Sequence, residues 1–260
     1  MRLAALQTDI EWESPRTNFA RLSPLIAQMA GEGAELVVLP EMFACGFSMK
    51  TATVAEEFNG PTSEFLLRTA QEHRIWICGS IPERSPRSGD PRPSNTLVLA
   101  APNGEARRYR KLHPFTFGGE HQHYAPGDEQ LTVEISGVRC TFYICYDLRF
   151  ANEFWSTARL TDLFIVPANW PAPRREHWLT LLSARAIENQ AYVCGVNRVG
   201  EGGGLTYAGD SRIIAPDGAV VAGAGADTAM LWADVSAATV AAYRASFPTF
   251  QDRRRVVDGG

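Results

Sequence analysis

Residues 162–199 read DLFIVPANWPAPRREHWLTLLSARAIENQAYVCGVNRV, and this stretch decides the fold class. Asp162–Ala168 is a short continuous apolar run, the pattern of a strand buried on both faces. Arg174–Gln190 carries apolar residues at helical spacing, and Tyr192–Val199 is a second strand-sized run. Strand, helix, strand in that order makes a crossover between strands of one sheet.

The same alternation continues outward. Arg2–Thr8 reads as a first strand. Pro15–Ala30 opens on proline and places Phe19, Leu22, Leu25, Ile26 and Met29 at helical spacing. Glu35–Leu39 is another doubly buried strand, followed by a helix over Pro61–Arg74 and a strand over Ile75–Ser80. Three hairpins follow from turn residues between apolar runs: Pro102-Asn103-Gly104, Ser136-Gly137 and Pro216-Asp217-Gly218. The second of these joins Leu131–Ile135 to Val138–Cys145. Phe150–Arg159 reads as a helix, Met230–Val235 as a last strand and Ser236–Ser246 as a last helix. Ser85–Pro93 is a surface loop, and Gly200, Gly202, Gly203 and Gly204 form a flexible loop. Lys111–Gly127 has no period, and a structureless stretch of that length inside a compact domain is usually functional. Phe247–Gly260 is a polar, peripheral tail and a candidate dimer contact. With no repeat and no linker, residues 1–260 are expected to form one α/β domain. Its sheets are mixed: either one large sheet, or two sheets face to face with helices outside.

Composition narrows the function. The 260 residues are 45% hydrophobic and 21% charged, with a net charge of −4. That balance gives no electrostatic case for nucleic acid or an anionic membrane as partner. The basic clusters Arg107–Lys111 and Arg253–Arg255 read as a solvated strand and a solvated tail, Lys111 excepted. The N-terminal MRLAALQTDIEW lacks a secretory pattern, and LVVLP and DLFIVPA are too short to span a bilayer. The five cysteines, Cys45, Cys78, Cys140, Cys145 and Cys194, are irregularly spaced. They read as reduced thiols of a cytoplasmic protein.

Cys145 separates the strand TFYIC from YDLRF, which opens a helix. A nucleophile at such a turn is exposed, helix-start N–H groups can receive an oxyanion, and the helix dipole lowers a thiol pKa. Glu41 follows the buried strand LVVLP, at the edge where α/β proteins place ligands, and suits general-base work. Lys111 closes RRYRK and can hold an oxyanion as a point charge. Taken singly, Glu41 reads equally as an exposed acid, Lys111 as a surface lysine and Cys145 as a core thiol. His121 and His123 form an H-x-H pair near His113 and Glu120, but no further ligand stands at a familiar spacing, so no metal is expected. There is no GxGxxG, no GxxxxGK[ST] and no GxSxG. A Cys–His pair would have to use His177, inside a helix, which is a poor position for a general base.

LVVLPEMFACGFSM, YRKLHPF, CYDLRF and PANWPAPRREHWLTLLSARAIENQAYVCGVNRVG together resemble the nitrilase superfamily of carbon–nitrogen hydrolases over nearly the whole chain. PEMFACGFSM, GGEHQHYAPGD and CYDLRF are most similar to its ω-amidase branch, which hydrolyses the terminal amide of 2-oxo dicarboxylic acid monoamides. The resemblance implies a four-layer α-β-β-α sandwich, a homodimer built through helices beside the active site, and no cofactor. It implies Cys145 as nucleophile, Glu41 as general base, Lys111 and the Tyr146 N–H as oxyanion donors, and Glu120 as a second glutamate, with Glu129 its runner-up. Ala151 departs from the family, where proline often follows CYDLRF. An ω-amide substrate carries a distal carboxylate, so a pocket cation is implied, with Arg149, Arg174, Arg175 and His177 as candidates. Arg149 has a structural alternative, pairing with Asp147 or a neighbouring helix. Phe47, Phe117, Tyr124 and Trp170 are candidate pocket walls, or ordinary packing. The same triad also suits nitriles, N-carbamoyl compounds or acyl transfer, and the scaffold suits a non-catalytic interaction protein.

Overall fold

The computed structural model describes residues 1–84 and 89–254. Part of the expected 85–93 loop, and Arg255 with the end of the tail, lie outside the described residues. The first half of the chain supplies β1 (Arg2–Gln7), β2 (Leu36–Val38), β3 (Trp76–Glu83), β4 (Ser94–Ala100) and β5 (Ala106–Arg110). The second supplies β6 (Leu131–Ile135), β7 (Val138–Phe142), β8 (Leu163–Ala168), β9 (Tyr192–Asn197), β10 (Val199–Gly202), β11 (Leu205–Ala208), β12 (Arg212–Ile214), β13 (Val220–Gly223) and β14 (Ala229–Asp234). The helices are α1 (Pro15–Gly31), α2 (Thr51–Val54), α3 (Pro61–His73), α4 (Glu120–His123), α5 (Ala151–Thr157), α6 (Arg175–Asn189) and α7 (Ala237–Ser246).

Two six-stranded mixed sheets result, in the orders β14-β1-β2-β3-β4-β5 and β13-β12-β9-β8-β7-β6. Each has a parallel centre, β1-β2-β3 and β7-β8-β9, flanked by antiparallel strands. The parallel strands are apolar on both faces because both faces are covered. Leu3, Ala5, Leu36 and Val38 of the first sheet meet Cys140, Phe142, Leu163 and Ile165 of the second. Their neighbours Ala4, Leu6 and Val37 pack instead against Leu22, Ile26 and Met29 of α1 and Phe65 and Leu66 of α3. On the far side, Trp178, Leu182 and Ala186 of α6 cover the second sheet. The architecture is the α-β-β-α sandwich. It also sets the site. The chain leaves β2, β7 and β8 at their carboxyl ends, towards Glu41, Cys145 and Asn169 respectively, where ligands collect in parallel sheets.

Several sequence expectations change. The glycine-rich stretch after β9 is a hairpin, β10 paired antiparallel with β11, and not an unstructured loop. Gly203 and Gly204 at its tip both have positive φ, 58° and 77°, as a tight hairpin turn requires. Glycine removed the apolar alternation that marks a strand, yet supplied the turn. Lys111–Gly127 is not structureless: it holds a 3₁₀ turn, Thr116–Gly118, and α4. Cys145 does not end β7, which stops at Phe142; it opens a 3₁₀ turn, Cys145–Arg149, ahead of α5.

The tail is anchored, not peripheral, as far as it is described. Phe250 is 9% exposed, and its carbonyl accepts a hydrogen bond from Arg159. Arg253 is not solvated: its guanidinium lies 3.7 Å from the rings of both Trp155 and Phe250, and it donates to the Glu188 carbonyl. Cation–π contacts of this kind contribute about 0.5–2 kcal/mol. We expect Phe250→Ala to lower stability by about 2–4 kcal/mol, read as a lower urea midpoint at unchanged slope. A loss under about 0.5 kcal/mol, the usual surface value, would restore the peripheral reading.

Candidate active site

Pro40 closes the pairing of β2, and the backbone then turns sharply. Met42 sits at φ 44°, and its N–H donates to Ser80 Oγ. The turn drives Glu41 inward, where it is fully buried. Its Oε1 accepts from Lys111 Nζ at 3.0 Å and Asn95 Nδ2 at 2.8 Å. Its Oε2 accepts the Asn169 N–H at 2.7 Å, and its carbonyl accepts from Asn169 Nδ2 at 2.5 Å. A carboxylate carried between two sheets is thereby held by donors from both.

Lys111 leaves β5 with its N–H on the Asn95 carbonyl, and its own carbonyl accepts from Gly127. That bond ties the 111–127 segment into a closed loop. A Cβ at residue 127 would lie 2.3 Å from the Arg110 carbonyl oxygen, so the close approach requires glycine. The loop returns Glu120 to within 2.8 Å of Lys111 Nζ, with a second contact at 3.1 Å. Glu120 is fixed in turn by the Phe115 N–H and Asn95 Nδ2. All three charges are buried, so each depends on the others for solvation. Burial alone would lower the Lys111 pKa, but Glu120 and Glu41 outweigh it and hold the ammonium well above the usual lysine range. Burial raises Glu120, with Lys111 opposing and Glu41 adding to the rise.

Cys145 has φ 44°, a left-handed backbone conformation that costs a non-glycine residue about 1–3 kcal/mol. The conformation is held from both sides. The Asp147 N–H bonds the Ile144 carbonyl, and the Asp147 carboxylate takes the Ile144 N–H at 2.9 Å, the His113 N–H at 2.9 Å and the Tyr109 hydroxyl at 2.8 Å. Arg185 donates twice to the Leu148 carbonyl. The thiol meets the Glu41 carboxylate, and its pKa moves opposite to the sequence expectation. Burial pushes it well above the ordinary thiol range, and Glu41 adds to the rise against the opposing charge of Lys111. A single 3₁₀ turn aligns few peptide dipoles, so burial decides the sign. At rest the group is therefore a protonated thiol, and a base is needed to activate it.

Cys145 opens onto a cavity of about 260 Å³. Phe47, Phe115, Tyr146, Asn169 and Trp170 line it, with Arg149 and Arg174 on the same wall. Residues 2–245 match the family model described as Carbon-nitrogen hydrolase. The chain belongs to the carbon–nitrogen hydrolase family. It is 38% identical to the omega-amidase YafV of Escherichia coli K12, over 97% of this chain and 96% of that one. It is 33% identical to the 2-oxoglutaramate amidase of Bacillus subtilis 168, over 97% of both. Among solved structures it is similar to XC1258 of Xanthomonas campestris, a CN-hydrolase superfamily protein described with an arsenic adduct in its active site. That likeness has a TM-score of 0.93 at 37% identity, covering 100% of this chain and 99% of the other.

In this carbon–nitrogen hydrolase family enzyme, Glu41, Lys111, Glu120 and Cys145 converge. Of the candidate walls, Phe47 and Trp170 line the cavity, and the Phe47 ring also lies 5.2 Å from Lys111 Nζ. Phe117 does not line it: it is 85% exposed beside Arg174, and Phe115 takes that place. Tyr124 is buried behind the site, its hydroxyl on the Ser48 carbonyl. Arg175 is not a pocket cation, since Asp210 holds its guanidinium at 2.6 and 2.7 Å. His177 sits outside the cavity and meets Arg149 Nη2 through Nδ1 at 3.2 Å. Arg149 does not pair with Asp147, which is committed elsewhere; it lies over Trp170. Glu129 is exposed, far from the role offered to it as runner-up to Glu120. His113 stacks on Phe150 and faces Asp147, and among the described residues no His, Cys, Asp or Glu group is arranged to hold a metal.

Asn95, Asn169 and Asp147 were missed. Their signal was present as polar residues inside or beside apolar runs, in SNTLVLA, LFIVPAN and YICYD, where burial without a partner is costly. The thiol assignment is open to direct titration. We expect the thiolate ultraviolet absorbance, taken as wild type minus Cys145→Ser, to show no ionisation of Cys145 until well above pH 9.0, the ordinary thiol value. A step near neutral pH would mean a resting thiolate and overturn the assignment.

Proposed function

We propose that this carbon–nitrogen hydrolase is an amidase that removes the terminal amide of a small 2-oxo dicarboxylic acid monoamide, of the 2-oxoglutaramate or 2-oxosuccinamate type. Cys145 is its nucleophile. The observation that carries the substrate class is the pair Arg149 and Arg174. Both line the cavity with Cys145, and neither has a carboxylate partner among the described residues. Burial lowers the Arg149 pKa, and the neighbouring Arg174 charge lowers it further. Two guanidiniums facing one cavity repel unless an anion joins them, and a distal carboxylate supplies that anion. The apolar remainder of the wall and the small volume suit a short carbon chain. The names of the Escherichia coli and Bacillus subtilis relatives point to the same substrates.

Chemistry starts from a thiol. Glu41 takes the proton as Sγ bonds to the amide carbon, and the carbonyl electron pair moves to oxygen. Lys111 Nζ and the Tyr146 N–H hold that oxyanion. Protonated Glu41 gives its proton to nitrogen, the C–N bond breaks, and ammonia leaves a thioester on Cys145. Water then loses a proton to Glu41 and adds to the thioester. The tetrahedral adduct collapses to the acid, and the departing sulfur recovers the proton from Glu41. Glu120 keeps the Lys111 ammonium oriented throughout. We further propose that residues 1–260 act as one domain in a cytoplasmic homodimer.

Ammonia release from 2-oxoglutaramate, from a nitrile and from an N-carbamoyl amino acid separates the family's chemistries. We expect the first to exceed the others by orders of magnitude, and preference for either of the others would overturn the reading. Arg149→Ala and Arg174→Ala are each expected to raise KM for 2-oxoglutaramate about 10- to 100-fold, the value of a charge-assisted hydrogen bond. A neutral amide of similar length should change little; equal losses on both substrates would remove the carboxylate role.

A further inference from the structure

We infer that Asn169 orients the scissile amide by accepting one of its N–H groups on Oδ1. Asn169 is 3% exposed and lines the cavity into which Cys145 opens. Its backbone N–H and Nδ2 are both spent on Glu41, on Oε2 and on the main-chain carbonyl. A carbonyl oxygen only accepts, so the nitrogen of the Asn169 amide faces Glu41 and the oxygen faces away from it. That oxygen is buried with no hydrogen-bond partner among the described residues. The residue cannot swing to find one, because the adjoining Trp170 is clamped through both its N–H and its carbonyl by Asn197.

A buried acceptor without a donor costs about 1–3 kcal/mol, so such an atom in a substrate cavity calls for a donor from the substrate. Two other buried polar atoms are unpaired, and neither competes. Asn95 directs Nδ2 at both Glu41 and Glu120, and Asn95 does not line the cavity. Arg198 Nη1 is a donor packed behind Gly202 and Gly46.

The atoms of a primary amide then match the site. Its oxygen goes to Lys111 and the Tyr146 N–H, and its carbon faces sulfur. Glu41 Oε1 and Oε2 already accept three donors between them. Asn169 Oδ1 is left for one N–H, which turns the nitrogen lone pair that forms in the tetrahedral adduct towards the proton on Glu41. An ester has no N–H to place, so the orientation matters for amides and not for esters.

The inference rests on the amidase reading but not on the 2-oxo acid, and the test separates the two. The comparison is kcat on 2-oxoglutaramate against kcat on the matching methyl ester, in wild type and Asn169→Ala. We expect the amide rate to fall about 30-fold or more, and the ester rate to fall less than about threefold. Equal losses would show that Asn169 acts only through Glu41, which serves both substrates, and would overturn the inference. An unchanged amide rate would overturn it too. If the alanine variant shows no cooperative melt, Asn169→Ser is read the same way: a reduced amide-to-ester ratio supports the inference, and an unchanged ratio overturns it. Wild type cleaving no amide at all would instead sink the amidase reading.

Discussion

The ammonium of Lys111 between the carboxylates of Glu41 and Glu120 is the interaction on which the rest depends. All three groups are out of water, and an isolated buried charge costs several kcal/mol. Each therefore needs the other two in place, although they come from a strand end, a hairpin and a loop. The sandwich meets that need with the carboxyl ends of its parallel strands. Asn95 and Asn169 complete the solvation from opposite sheets, which locks the sheets in register at this edge.

Cys145 adds the second constraint. Its left-handed backbone is an unfavourable conformation that Asp147, Tyr109 and Arg185 hold in place through their bonds around the turn. The gain is position: sulfur is set against Glu41 at the mouth of an apolar cavity. The same burial that makes the position firm keeps the thiol protonated. Nucleophilicity then depends on a proton transfer to Glu41 that occurs as substrate is attacked, and not on a standing thiolate. A neutral sulfur also leaves the charge of Lys111 available for the oxyanion.

Much of this was legible in the sequence. The doubly apolar runs at residues 35–39 and 162–168, and the long helix between 174 and 190, carried the layered α/β class. The blocks around Glu41, Lys111 and Cys145 carried the site through their resemblance to one family. What stayed hidden depends on tertiary contact. Asn95 and Asn169 are ordinary strand-end residues until a carboxylate from the other sheet lies beside them. Phe115 and Phe117 are two residues apart, and only the 3₁₀ turn shows that the first faces the cavity and the second solvent. Arg149, Arg174 and Arg175 were equivalent cations until Asp210 claimed the last. Phe250 and Arg253 looked solvated because their partners, Trp155 and Arg159, lie nearly a hundred residues earlier.

If sulfur, carboxylate and ammonium act together at one carbonyl, the acyl group of the substrate must pass through residue 145. Acid-quenched mass spectrometry of the protein during turnover of 2-oxoglutaramate tests this most directly. The expected result is the mass of the acyl group, without ammonia, on the peptide that contains Cys145, disappearing once substrate is exhausted. An acyl group on any other residue, or an unmodified Cys145 throughout turnover, would contradict it.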